Sequence, residues 1–236
     1  MKLLNGDCLE LMKEIPDGSV DLILCDPPYG TTDCSWDSVL PFDKLWAQYN
    51  RILKCNGAAV LFSAQPFTTQ LINSNRKAYR YCWYWLKNQP TGFPFAKYQP
   101  MRKVEEVCVF YKKAPTYNPQ WGQGKPYKKR RSVTTSVYDM AHIAGRGSDG
   151  RRYPKNVLEY KTERGLHPTQ KPVALLEYLV RTYTNEGDTI LDNCMGSGST
   201  GVAVKRVGGR HFIGIEQNKQ YFDTARERIE KEQQHD

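Results

Sequence analysis

No stretch of this chain approaches the roughly 20 apolar residues a membrane-spanning helix requires. The apolar runs, Val20–Cys25 and Ala58–Phe62 among them, are strand-sized. The N-terminal MKLLNGDCLELMKEIPDG turns polar after two leucines. It has no signal-peptide core, and a cytoplasmic location, bacterial or in a phage-infected host cell, is expected. Also missing is any C-x-x-C pair among the seven cysteines, at positions 8, 25, 34, 55, 82, 108 and 194. An odd count without that spacing excludes a simple disulfide framework and a cysteine zinc site, and leaves reduced packing residues. The four histidines lack metal-ligand spacing, so no metal is expected. Net charge is absent too from most of the chain. Residues 112–164 hold 13 Lys and Arg against four acids, while the remainder balances, so the whole +9 sits in one segment. Such an asymmetry points to a polyanionic partner, nucleic acid first, with a solubilising basic loop as the plainer alternative.

What is present alternates. Strand patterns at 2–4, 20–25, 58–62, 189–191 and 211–215 interleave with helix patterns at 8–15, 41–53, 67–74, 173–184, 200–207 and 220–233. In the last helix Tyr221, Ala225 and Ile229 share one face. Gly57, Gly187 and Gly209 fall where helices end. Alternation of this kind predicts a doubly wound, Rossmann-like α/β fold with a mostly parallel sheet. Two runs rich in aromatics and valine, 80–86 and 104–111, have no helix between them and are expected as a terminal antiparallel pair. Trp83 and Trp85 share one strand face and read as core. Between 112 and 165 the rhythm breaks into Gly, Pro and basic residues interleaved with Trp121, Tyr127, Tyr138 and Tyr153. That stretch is expected as a basic insertion, dividing the core into a first half, 1–111, and a second, 166–236.

Two motifs stand at predicted strand ends. After Val20–Cys25 comes Asp26-Pro27-Pro28-Tyr29. Two prolines stop the strand and stiffen the loop, holding Asp26 and Tyr29 at the sheet's carboxyl edge, where ligands bind in open α/β sheets. A turn with a solvated acid is the plainer reading of DPP alone. The second motif is DTILDNCMGSGSTG at 188–201, a short strand running into Gly196-Ser197-Gly198-Ser199 before a helix. Glu216 closes the next strand, twenty positions past Gly196. Strand, glycine turn, helix, strand and acid together describe a nucleoside-binding unit, in which the acid accepts from ribose hydroxyls. The motif alone leaves NAD and S-adenosylmethionine both open.

DPPY with D-x-x-x-G-x-G, and HPTQKP at His167–Pro172, resemble the amino-methylating DNA methyltransferases that act on adenine N6 or cytosine N4. Placing DPPY before the glycine motif is that family's β-type order. The resemblance covers nearly the whole chain outside 112–165 and implies S-adenosyl-L-methionine as cofactor. It places Asp7 of NGDCLE, with Cys8 beside it, at the cofactor adenine. Asp192, Gly196, Gly198 and Ser199 fall at the methionine end, Glu216 at the ribose, and Thr169 and Lys171 at the cofactor carboxylate. His167 is equally readable as a polar turn residue. In this reading Asp26 and the Pro27 carbonyl accept the two N–H groups of the target amine, Pro28 stiffens the loop, and Tyr29 stacks on the flipped base. Trp36 is a candidate wall of the base pocket, and Cys25 reads as a core residue, not a nucleophile.

Within the insertion, Lys125, Lys128, Lys129, Arg130 and Arg131 suit phosphate contact, while Arg146, Arg151 and Arg152 are candidates for guanine edges or further phosphates. Double-stranded DNA is thus the expected partner. A homodimer and a cognate restriction endonuclease are implied by the resemblance only. Asp before Pro-Pro-Tyr is commoner among adenine enzymes of the family, so adenine N6 is expected ahead of cytosine N4. A nicotinamide oxidoreductase would leave DPPY, HPTQKP and the basic segment unexplained. An RNA or protein-amide methyltransferase would commonly carry Asn where Asp26 stands, and a non-catalytic DNA-binding module would not need Asp26 at all.

Overall fold

Alternate residues of the central strands point into two separate apolar clusters, and this two-faced burial defines the architecture. The computed structural model describes residues 1–32, 37–128, 147–163, 165 and 170–232. In chain order the elements are β1 (Lys2–Asn5), α1 (Cys8–Leu11), β2 (Val20–Cys25), α2 (Phe42–Ile52), β3 (Leu53–Ser63), α3 (Phe67–Ser74), β4 (Tyr79–Thr91) and β5 (Arg102–Phe110). They continue with β6 (Gly122–Gln123), β7 (Arg151–Arg152), β8 (Val157–Tyr160), α4 (Val173–Tyr183), β9 (Thr189–Asp192), α5 (Ser199–Val207), β10 (His211–Glu216) and α6 (Lys219–Lys231). Leu22, Leu24, Val60, Phe62 and Ile190 pack with α4, α5 and α6. Their neighbours Ile23, Cys25, Ala59, Leu61 and Leu191 pack with α1, α2 and α3 on the other face. Near-continuous apolar strands are what a sheet covered on both faces demands.

The large sheet runs β1-β10-β9-β2-β3-β5-β4-β8. From β1 to β3 all neighbours are parallel, and β5 is antiparallel to both β3 and β4. The chain moves outward one way from β2 to β3 and the other way from β9 to β10, so strand order reverses between β2 and β9. At such a reversal the carboxyl ends diverge and leave a crevice. Cys25, Asp192, Glu216 and Asn5 end their strands on that edge.

The expected antiparallel pair is β4 with β5, but it is not terminal, because β8 adds parallel to β4 beyond it, with Leu158 opposite Trp85. Only Leu158 of its four residues is buried. One apolar position in a four-residue strand is too weak a signal to stand out beside Gly, Pro and basic residues. Pro119–Lys155 form a separate compact unit. Its described part contains the β6–β7 ribbon, the Tyr127–Ser148 bridge, and ring contacts between Trp121 and Tyr153. Trp83 and Trp85 are both buried; their indole N–H groups donate to the Tyr183 hydroxyl (2.7 Å) and the Tyr160 carbonyl (2.9 Å). No described helix is long and apolar enough to cross a membrane.

Candidate active site

The crevice at the strand reversal is a cavity of about 1100 Å³, with Asp7, Asp26, Lys87, Glu105, Lys171, Asp192 and Glu216 on its walls. Asp26 follows directly on the fully buried end of β2, and Pro27 and Pro28 turn the chain out of the ladder. One residue later the backbone is gripped from beyond the loop. Asp37, 8 % exposed, accepts from the N–H groups of Tyr29 (2.7 Å), Gly30 (2.9 Å), Thr31 (2.9 Å) and Thr32 (2.8 Å), and from the Thr32 hydroxyl. Burial pushes the Asp37 carboxyl up, yet these donors outweigh it and hold the group below its usual range. The DPPY loop is therefore a preformed nest around one carboxylate.

Asp26 is itself held on both oxygens. The Tyr29 hydroxyl donates to Oδ1 at 2.6 Å, and the Lys171 ammonium donates to Oδ2 at 2.5 Å. Lys171 is 7 % exposed and lies 3.6 Å from Glu105 Oε2. Glu105 Oε1 accepts from Lys87 at 2.9 Å, and Lys87, 2 % exposed, also donates to the Thr91 hydroxyl at 3.1 Å. Two acids and two lysines thus alternate along one line from β2 through the segment before α4 to β5 and β4. Burial pulls the Lys171 ammonium down, but Asp26 and Glu105 outweigh it and keep it charged. Burial likewise pushes Glu105 up, and Lys171 and Lys87 bring it below its ordinary value. Glu105 Oε2 has no hydrogen-bond partner among the described residues. Tyr29 stacks on Phe67 with ring centroids 5.0 Å apart, and burial, then the charges of Asp26 and Glu105, push its phenol well up, so it remains a donor.

The other end of the cavity is built mainly from backbone. Gly196 and Gly198 take positive φ, +51° and +80°. A Cβ on Gly198 would lie 2.9 Å from that of Ala225, so α6 packs directly on the turn. Glu216 Oε2 accepts from the Gly196 N–H (2.9 Å) and Oε1 from the Asn218 N–H (2.8 Å), which orients the carboxylate and leaves lone pairs for further donors. Asp192 is 3 % exposed; burial raises its carboxyl to about 7, against hydrogen bonds from the Thr200 side chain and the Cys194 N–H. Asp7 caps α1 through the Leu9 N–H (2.7 Å), and Cys8 is buried below it.

The sequence model of the N6/N4 DNA methylases matches residues 20–227, most of the chain. The protein belongs to this DNA methylase family. The type II methyltransferase M.HpaI of Haemophilus parainfluenzae is 29 % identical over 251 residues, covering 98 % of this chain and 74 % of the relative. The crystal structure of the M1.HpyAVI–SAM complex superposes with a TM-score of 0.66 at 27 % identity, covering 97 % of this chain and 98 % of the other. The PvuII DNA methyltransferase, described as cytosine-N4-specific, superposes with a TM-score of 0.70 at 18 % identity, over 96 % and 85 %, a likeness of fold.

In this DNA methylase Asp26 to Tyr29, Asp7, Cys8, Asp192, Gly196, Ser199 and Glu216 line one cavity, while Gly198 packs under it against α6. Lys171, expected at a cofactor carboxylate, has its ammonium on Asp26. Cys25 is 1 % exposed and burial pushes its thiol up to about 11, the state of a packing residue. Arg151 pairs with Asp149 and lies over Trp121, while Arg152 donates to the Lys125 carbonyl and the Ser148 hydroxyl and lies over Tyr127. Lys125 and Lys128 are exposed. Trp36, Lys129, Arg130, Arg131, Arg146, His167 and Thr169 lie outside the described residues. Sequence reasoning missed Asp37, Lys87 and Glu105. Asp37 had a usable signal, an acid shortly after a loop rich in free N–H groups. Lys87 and Glu105 had only their alternation, facing inward beside Trp85.

Proposed function

We propose that this DNA methylase transfers a methyl group to adenine N6 of a base flipped out of duplex DNA, with Asp26 as the acceptor that orients the amine. The observation that carries this reading is Asp26 itself, fixed on both oxygens in the wall of the cavity that Asp192 and Glu216 also line. An exocyclic amine is a poor nucleophile because its lone pair is delocalised into the ring. A carboxylate accepting one N–H and the Pro27 carbonyl accepting the other draw the nitrogen toward a tetrahedral form. Each Asp26 oxygen keeps a lone pair beyond its present donor, so the amine adds to the existing bonds. Lys171 and the Asp37 nest hold these acceptors in place before the base arrives, which reduces reorganisation at reaction. Accepting an N–H of the amine, Asp26 is also the group that can take the proton the methylated amine sheds.

The donor set fits S-adenosyl-L-methionine. Asp7, Asp192 and Glu216 are acceptors spaced around the cavity for amino and hydroxyl groups, and the positive-φ glycines allow close approach of a ligand to the backbone. When bound, that cofactor supplies an electrophilic methyl group. The complex of M1.HpyAVI with SAM supports this assignment. A type II modification role rests on the name of the Haemophilus relative. Lys125, Lys128, Arg151 and Arg152 are read as DNA contacts.

Incubating the protein with unmethylated genomic DNA and labelled S-adenosylmethionine, followed by nucleoside mass spectrometry, tests the reading. N6-methyladenine from the parent and none from Asp26→Ala supports base and acid together. N4-methylcytosine would keep the mechanism and overturn the base. No labelled nucleoside from a parent that still binds S-adenosylhomocysteine would overturn DNA as substrate.

A further inference from the structure

Between β4 and β5 the chain reads TGFPFAKYQPMRK, and its tip carries the two most exposed large apolar side chains of the described residues, Tyr98 and Phe93. Phe93 is 76 %, Phe95 57 % and Tyr98 87 % exposed. A hairpin tip that hid nothing would not carry two phenylalanines and a tyrosine, since exposed clustered aromatics mark contact surfaces. The tip is nevertheless well built. Gly92 enters it in the left-handed region, and a 3-10 turn over Phe93–Phe95 is braced by Phe95 N–H to the Gly92 carbonyl (3.0 Å), Ala96 to Phe93 (3.0 Å) and Tyr98 to Phe95 (2.9 Å). Pro90, Pro94 and Pro100 further restrict it. Its surroundings are cationic. From Lys87 to Val104 the chain carries Lys87, Lys97, Arg102 and Lys103 and no acid.

The stem of this tip reaches the reacting end of the cavity. Gln89, Thr91 and Arg102 line it, and Thr91 is joined through Lys87, Glu105 and Lys171 to Asp26. An aromatic tip whose stem lines the cavity, flanked in sequence by the exposed Lys97, Arg102 and Lys103, matches one task in this chemistry. We infer that the β4–β5 tip is a wedge that stacks into the duplex beside the extruded nucleotide, with Phe93, Phe95 and Tyr98 replacing the stacking lost on extrusion and Lys97, Arg102 and Lys103 on the flanking phosphates. The inference rests on the reading of the enzyme as a base-flipping DNA methylase. Apolar side chains inserted between base steps are a general means of holding duplex DNA open, and stacking on aromatics is indifferent to sequence. The wedge therefore serves extrusion, while choice of site is left to other residues.

The test compares the parent with Phe93→Ala/Phe95→Ala and with Tyr98→Ala on two duplexes carrying the methylated site mapped from genomic DNA. In one the target base is fully paired; in the other it faces an abasic position, so that extrusion costs little. The variants are expected to lose at least about tenfold in methylation of the paired duplex, to recover most of it on the abasic duplex, and to bind S-adenosylhomocysteine unchanged. With 2-aminopurine at the target position, their fluorescence on binding paired DNA should stay low. An equal loss on both duplexes, or none on either, would overturn the wedge while the parent remains active. Equal loss together with a shift from dimer to monomer in light scattering would also overturn it, assigning the tip to a contact between copies. A parent inert on both duplexes would overturn the reading of the enzyme and the wedge with it.

Discussion

At one end of the cavity Asp192, Gly196, Gly198 and Glu216 come from a single contiguous strand–turn–helix–strand unit and are positioned largely by backbone geometry. At the other, Asp26, Lys171, Glu105 and Lys87 come from four separate places in the chain and are positioned by one another's charge. The difference has a physical root. A nucleoside site needs close approach and oriented acceptors, which a glycine turn and a strand end provide locally. A part-buried carboxylate is costly when isolated, so Asp26 is held by buried counter-charges drawn from wherever the fold brings them.

Changes at the charge-built end should therefore be the more damaging. Asp26→Ala is expected to lower methyl transfer by about 10³-fold or more with S-adenosylhomocysteine affinity retained, as rate and calorimetry would measure; parallel loss of affinity would mean that the two ends are not separable. Glu105→Gln leaves Lys87 and Lys171 without their shared acid, and should cost about 3 kcal/mol in chemical denaturation. Adding Lys87→Met should recover part of it; additive losses would break the picture of a linked line of charges.

Asp37→Ala orphans the N–H donors of the DPPY loop and should cost about 2 kcal/mol. Its kcat should fall more than its cofactor affinity. At the backbone-built end, Asp192 is held up at about 7 by burial. A raised acid contributes stability below its ordinary value and loses it as pH rises through the folded value. From this group the apo protein should lose about 2 kcal/mol between pH 5 and 6.5, and Asp192→Asn should flatten that slope. Gly198→Ala, at φ +80° and with its Cβ against Ala225, should cost about 1 kcal/mol and weaken cofactor binding without changing the pH dependence.

The same contrast explains what was legible in the sequence. DPPY, the glycine turn and Glu216 are local patterns whose spacing reports their geometry, and the alternation of strands and helices set them on one sheet edge. Glu105 and Lys87 gave no such sign, because an acid and a lysine 18 positions apart become neighbours only when β4 pairs with β5. The hairpin tip was hidden by arithmetic: its cations cancel against distant acids in a total, though none of those acids lies between Lys87 and Val104. The edge strand beyond β4, β8, was lost for want of length.

The compact unit 119–155 begins and ends at two asparagines secured to the main sheet and its helices. Asn118 donates from its backbone to the Thr182 carbonyl at 2.7 Å and from its side chain to Arg181, Thr184 and Asn185. Asn156 accepts from the Tyr84 N–H at 2.7 Å, just before β8. Everything between these posts can lengthen, shorten or be exchanged for unrelated sequence while the bonds that fasten its ends stay in place. Such a chain can exchange this unit by a single graft and leave the cavity-lining strands and their fastenings as they are.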